Sequence, residues 1–188
     1  MTITFVLLAF NEQYDFHVSL GSLMCQTNPN WKAIVFHNGP NRNLQLQIER
    51  IFPDRRISYV ETTENNGAGD INRDTAYKTL VDTEFTVSTS IQDFYLPNTV
   101  EEILKVAEGQ DFIYWNSINQ HVHDNHILDC EPKPRFIDWG NFAIRTDIAK
   151  GVEIPHLDDP MGDGHFVERA MKTELRSKKI SKILTVHN

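Results

Sequence analysis

Hydrophobic positions along the chain come in short blocks whose spacing alternates between strand and helix. Phe5, Val6, Leu7 and Leu8 form an unbroken apolar run inside residues 4–9, the pattern of a parallel strand covered on both faces. Over residues 14–26 the positions Tyr14, Val18, Leu20, Leu23 and Met24 recur at helical spacing. Asn28, Pro29 and Asn30 break that helix. Residues 31–36 predict a second strand, closed by the turn His37-Asn38-Gly39-Pro40. Leu44, Ile48, Ile51 and Phe52 mark a second helix stopped by Pro53, and residues 57–60 a third strand. A glycine loop, Asn65-Asn66-Gly67-Ala68-Gly69, precedes a helix near residues 70–81 and a fourth strand at 84–89. This alternation predicts an α/β fold, a Rossmann-like, mostly parallel sheet flanked by helices.

The fourth strand runs into a short polar turn, Ser90-Ile91-Gln92-Asp93. The next helix opens on Thr99-Val100-Glu101-Glu102, which matches a capping box. Residues 112–115 predict a fifth strand, and beyond Ser117 the alternation stops. Residues 118–135 are polar, 136–145 are strand-like, 151–164 are irregular, 165–175 are helical, and 180–186 predict a last strand.

Composition narrows the partners. With 188 residues, 40% hydrophobic and 23% charged, the chain has the size and balance of one soluble globular domain. No apolar run approaches the roughly 18 residues that span a bilayer. The apolar start has no basic flank or cleavage site, so it reads as a strand rather than a signal peptide, and the expected location is cytoplasmic. The two cysteines, Cys25 and Cys130, are expected as free thiols in that compartment. A net charge of −8 argues against a nucleic-acid partner. Arg176, Lys178 and Lys179 form a basic cluster that reads as a solvated face. His121, His123 and His126 suggest zinc at first sight, but their spacing fits a surface loop better. A homo-oligomer is compatible with the sequence.

The ordered motifs resemble those of family 2 glycosyltransferases of GT-A fold. Ala9-Phe10-Asn11-Glu12 is similar to that family's first-strand end, and Ser22-Leu23-Met24-Cys25-Gln26-Thr27-Asn28-Pro29-Asn30-Trp31 to its helix-to-second-strand segment. The glycine loop with Asn72-Arg73-Asp74 follows the same pattern. Asp93 with Pro97-Asn98 matches the tail of the DxD segment, Met161-Gly162-Asp163-Gly164-His165-Phe166 the catalytic acidic motif, and Val186-His187-Asn188 the C-terminal histidine. Two positions depart from it. Ser90 and Gln92 stand where the family usually has an aspartate pair, and His37-Asn38-Gly39 where it has Asp-Asp-Gly.

The resemblance implies one domain over residues 1–188, with a nucleotide-sugar-binding half at 1–117 and an acceptor half at 118–188. It implies a UDP-sugar donor held by Ala9, Phe10, Asn11, Glu12, Asn38, Gly67, Arg73, Gln92 and Asp93, Arg73 meeting the diphosphate with a paired geometry. Asp93 and His187 would hold Mn2+ or Mg2+, whose positive charge neutralises the departing diphosphate. Asp163 would be the general base of an inverting transfer, with Asp158 and Asp159 as competitors. Alone, Asp163 reads equally as a helix N-cap. Trp139, Gly140 and Asn141 could wall the site for a glycan or other hydroxyl acceptor, or pack on the sheet. Two rivals remain. One is a binding module of the same fold with an eroded metal site. The other is a nucleotidyltransferase, which would want a basic glycine-rich loop directly after the first strand.

Overall fold

The computed structural model describes residues 1–10, 15–65, 69–120, 126–154, 159 and 161–188. Its strands are β1 (Ile3–Ala9), β2 (Trp31–His37), β3 (Ile57–Glu61), β4 (Phe85–Ser90), β5 (Phe94–Tyr95), β6 (Phe112–Asn119), β7 (His126–Leu128), β8 (Phe142–Arg145) and β9 (Ser177–His187). The helices are α1 (Phe16–Met24), α2 (Arg42–Ile51), α3 (Gly69–Thr79), α4 (Thr99–Val106), α5 (Thr146–Ala149) and α6 (Gly162–Met171), with a 3-10 turn at Trp139–Asn141. One mixed sheet runs in the order β3-β2-β1-β4-β8-β6-β9-β5, with β7 added to β6.

β1 lies between β2 and β4 and parallel to both, with Leu7 opposite Val35 on one side and Thr89 on the other. Alternate side chains therefore feed two apolar layers. Phe5 and Leu7 pack with Phe16, Leu20, Trp31, Tyr95 and Trp115 on one face, while Val6 packs with Ile34, Tyr77, Phe112, Phe142 and Phe166 on the other. The carboxyl ends of β1, β2 and β4 come out along one edge, where open α/β sheets take their ligands.

The structure departs from the sequence expectation mainly in the second half. Only Phe142–Arg145 of the strand-like stretch is a strand, because Asp138 and Asn141 close a capping box that turns the preceding residues. β6 runs on to Asn119, its buried Ser117 and Asn119 paired with β9. The expected capping box at Thr99 does not form. Asn98 is the N-cap, and the Thr99 hydroxyl donates instead to the Leu184 carbonyl at 2.8 Å, tying α4 to β9. α1 exposes Val18 and Met24 and buries Ser19 and Ser22. Ser22 of α1 and Gln26 just beyond it hold the Leu96 turn: Ser22 Oγ accepts from Tyr95 N at 3.1 Å, and Gln26 Nε2 donates to Leu96 O at 2.8 Å. Cys25 and Cys130 are both free. No helix among the described residues is long and apolar enough to cross a membrane.

Candidate active site

A cavity of about 330 Å³ opens at the carboxyl ends of β1, β2 and β4, and Ala9, Phe10, Asn38, Arg73, Asp93, Trp139, Gly140, Asp163 and His187 all line it. Thr89, Asn72 and Asp138 join them.

Asp93 is fully buried at the end of the turn after β4. β5 pairs antiparallel with β9, Phe94 opposite Val186, and this pairing delivers His187 to a residue 94 positions earlier. His187 Nδ1 meets Asp93 Oδ1 at 2.6 Å, and Asn188 N donates to the same oxygen at 3.2 Å. Asp93 Oδ2 accepts from the Thr89 hydroxyl and from Ser90 N. Burial alone would depress the His187 imidazole, but its hydrogen bond to Asp93 and the charges of Asp93, Asp138 and Asp163 outweigh burial and hold it above its ordinary value. Gly140 lets the chain approach this pair. A Cβ there would stand 2.8 Å from Thr89 Oγ1 and 3.3 Å from Asp93 Oδ2.

Asp93 and His187 form an oxygen-plus-imidazole donor set that suits a divalent transition ion better than Mg2+. Among the described residues no three His, Cys, Asp or Glu side chains converge on one point, so two protein ligands are the most this pair supplies. The rest of a shell would come from the ligand and water. The donor set fits a metal on those terms.

Arg73 is buried in α3 and its guanidinium is already engaged. Nε donates to Ser88 Oγ at 2.8 Å, Nη1 pairs with Asp70, and the group lies 3.9 Å above the Trp139 ring centroid. Burial pulls Arg73 below its ordinary value, opposed by the charges of Tyr77, Asp70 and Asp163. Trp139 in turn packs on Phe166 and Phe142, with centroids 4.9 Å and 5.7 Å away. Its ring is thus a seat for Arg73 as much as a wall of the cavity.

Asp163 lies in the first turn of α6, one position beyond Gly162, with Met161 as N-cap. Its Oδ1 accepts from Gly164 N at 2.6 Å. Burial, opposed by that N–H and by Arg73 and reinforced by the neighbouring Asp138 carboxyl, pushes Asp163 up to about 6. Asp159 is engaged elsewhere: its Oδ2 meets His165 Nδ1, a bond that holds its carboxyl below the usual range.

Other expected residues fall differently. Asn38 Nδ2 donates to Asn65 Oδ1 at 3.1 Å, while Asn38 N bonds Ala9 O at 2.9 Å, so the first two strand ends are tied together. Gln92 is outside the cavity lining; its Nε2 donates to Asp15 Oδ2 at 3.0 Å. Asn141 is buried beneath the cavity, with Nδ2 donating to Ser117 Oγ at 3.0 Å. Asn11, Glu12, Gly67, His121, His123 and Asp158 lie outside the described residues, and His126 begins β7. Asp138 escaped the sequence reading, although Asp138-Trp139-Gly140-Asn141 has the spacing of a capping pair, a clue that the aspartate is held in place.

The fold is that of the GT-A-like glycosyltransferases. S. aureus TarS 1–349 matches with a TM-score of 0.82 at 14% identity, covering 100% of this chain and 60% of that one. The same protein in complex with UDP-GlcNAc matches with a TM-score of 0.78 at 17% identity, covering 99% and 58%. The mannosyltransferase PcManGT from Pyrobaculum calidifontis, in complex with GDP-Man and Mn2+, matches with a TM-score of 0.77 at 14% identity, covering 98% and 56%. The chain therefore spans about three fifths of the length of these structures. No protein-family model and no curated protein matches the sequence.

Proposed function

We propose that the chain is an inverting glycosyltransferase that moves a sugar from a nucleotide diphosphate donor, UDP first, to an acceptor hydroxyl. The observation that carries this reading is the meeting, around one cavity in a glycosyltransferase fold, of a carboxyl poised near neutrality and the Asp93–His187 pair. Ala9, Phe10 and Asn38 would take the base and ribose. Arg73, fixed by Ser88, Asp70 and Trp139, contributes a stationary positive charge rather than a mobile clamp. Asp163 takes the acceptor's hydroxyl proton as that oxygen attacks the anomeric carbon, and the bond to the diphosphate breaks with its electron pair leaving on the nucleotide. Asp93 and His187 would hold Mn2+ or Mg2+, which when bound offsets the charge of the leaving diphosphate.

Two measurements test the reading. UDP should bind more tightly with Mn2+ by calorimetry, and Asp93→Ala should remove that gain. Binding that ignores both the metal and the substitution removes the metal role. Release of free UDP from UDP-sugars should fall by about 100-fold or more in Asp163→Asn, within the range for losing a general base. Tight UDP binding without turnover by the native chain would favour the binding module, a reading that the two-ligand metal set keeps in view.

A further inference from the structure

The polar residues under the cavity form a chain that ends on Asp138. Asn141 Nδ2 donates to Cys130 Sγ and Ser117 Oγ, Ser117 Oγ donates to Asn119 Oδ1 at 2.9 Å, and Asn119 Nδ2 donates to Asp138 Oδ2 at 3.1 Å. Asn141 closes the loop, its Oδ1 accepting from Asp138 N at 3.0 Å while its backbone N–H caps the Asp138 side chain. Cys130, Ser117, Asn119 and Asn141 are all buried. A buried polar network is costly wherever a donor or acceptor is left over, and apolar side chains would fill the same space without that risk. Here its members fix the direction of one carboxyl group, which lines the same cavity as Asp163 and acts on it through its charge and a hydrogen bond.

We propose that Asp138 is a positioning residue for Asp163: the two carboxyl groups act as a pair, and Asp138 receives in a hydrogen bond the proton that Asp163 takes from the acceptor. This rests on the reading of Asp163 as general base. In the step itself the acceptor oxygen bonds to the anomeric carbon and the carbon–oxygen bond to the diphosphate breaks, its electron pair leaving with the nucleotide. The hydroxyl proton goes to Asp163, which then donates to Asp138. Before the transfer, the Asp138 charge makes Asp163 a stronger base. After it, the bridging hydrogen bond stabilises the protonated product. The other groups bearing on Asp163 are Arg73 from α3, paired with Asp70, His187 from β9, paired with Asp93, and the Gly164 N–H of its own helix. Asp138 is the neighbour whose negative charge raises Asp163, so its removal should lower the Asp163 midpoint.

The test compares Asp138→Asn and Asp138→Glu with the unsubstituted chain, all ligand-free, by following the Asp163 carboxyl carbon through a pH titration by NMR. In Asp138→Asn its midpoint should fall by about one pH unit or more, and Asp138→Glu should restore most of the difference. A midpoint unchanged in Asp138→Asn, with the amide spectrum showing the fold intact, overturns the proposal. The acidic limb of kcat/KM for transfer should move with the midpoint, and the rate on its plateau should fall about ten-fold as Asp163 becomes the weaker base. A limb that stays put while the midpoint moves also overturns the proposal. Should the unsubstituted chain release no UDP at all, the transferase reading fails, and the titration still decides whether the two carboxyls form a pair.

Discussion

The general base proposed at Asp163 must be kept from ionising too readily near neutral pH, and burial is the main means. Its value of about 6 lies above the ordinary 3.8, so the folded chain favours the protonated form. The stabilisation from this group is complete below about pH 4 and is lost as pH rises through about 6. Above that, the ionised carboxyl leaves the fold less stable than below pH 4 by on the order of 3 kcal/mol. Asp163→Asn should therefore raise the melting temperature at pH 8 by several degrees and leave it nearly unchanged at pH 4, which differential scanning calorimetry at the two pH values would show. His187 has the same sign, since its raised value gives stability below its ordinary range that disappears at higher pH. Gly140→Ala acts by volume instead. Its new methyl would meet Thr89 and Asp93, so UDP affinity should drop at least ten-fold, with stability falling by about 1–3 kcal/mol. Asp93, Asp163 and His187 are singled out through the ordered motifs that resemble the glycosyltransferase family, and all three line the cavity. For Asp138 the sequence carries only the capping spacing to Asn141, because the rest of its setting depends on Ser117 and Asn119 in a strand well before it.

At the scale of elements, the first half of the chain was legible because parallel strands covered on both faces are written as apolar runs. β1, β2 and β4 lie within a residue or two of their expected positions. β9 was harder to bound because its start carries Lys178, Lys179 and Lys182. Lys179 pairs with Asp129 and Lys182 with Glu102, while Ile180, Leu184 and Thr185 are buried. β5, only two residues long, has no periodicity to detect, yet it is the strand that joins Asp93 to His187. α6 begins earlier than its apolar pattern suggests because Gly164 allows the loop at Pro134 to lie against its first turn. A Cβ at that position would stand 2.3 Å from Pro134 Cα, a clash that only backbone movement relieves. Gly164→Ala should cost about 3 kcal/mol in urea unfolding and raise the KM for acceptor, since Asp163 is carried on the displaced turn.

Across the whole molecule, β9 ties late residues of the chain to earlier strands. It lies between β6 and β5 in the sheet, and its end supplies His187 to a cavity also lined from the ends of β1, β2 and β4, from α3, from α6 and from the segment around Trp139. Donor binding should therefore stabilise the chain as one cooperative unit. UDP with Mn2+ at 100 times its dissociation constant is expected to add about 2.7 kcal/mol in a single thermal transition, and two separate transitions would contradict that. Cys130, sealed under Asn141, gives this coupling a chemical readout. Burial pushes its thiol up to about 12, helped by the Asp138 charge, whereas Cys25 is exposed. A disulfide reagent should thus label one thiol per chain at once and the second only as fast as the floor beneath Asp138 opens. The slow phase becomes a clock for the opening of the floor under the carboxyl pair. It should lengthen when UDP is bound and shorten in Asn119→Ala, with both thiols counted by absorbance from a single reaction.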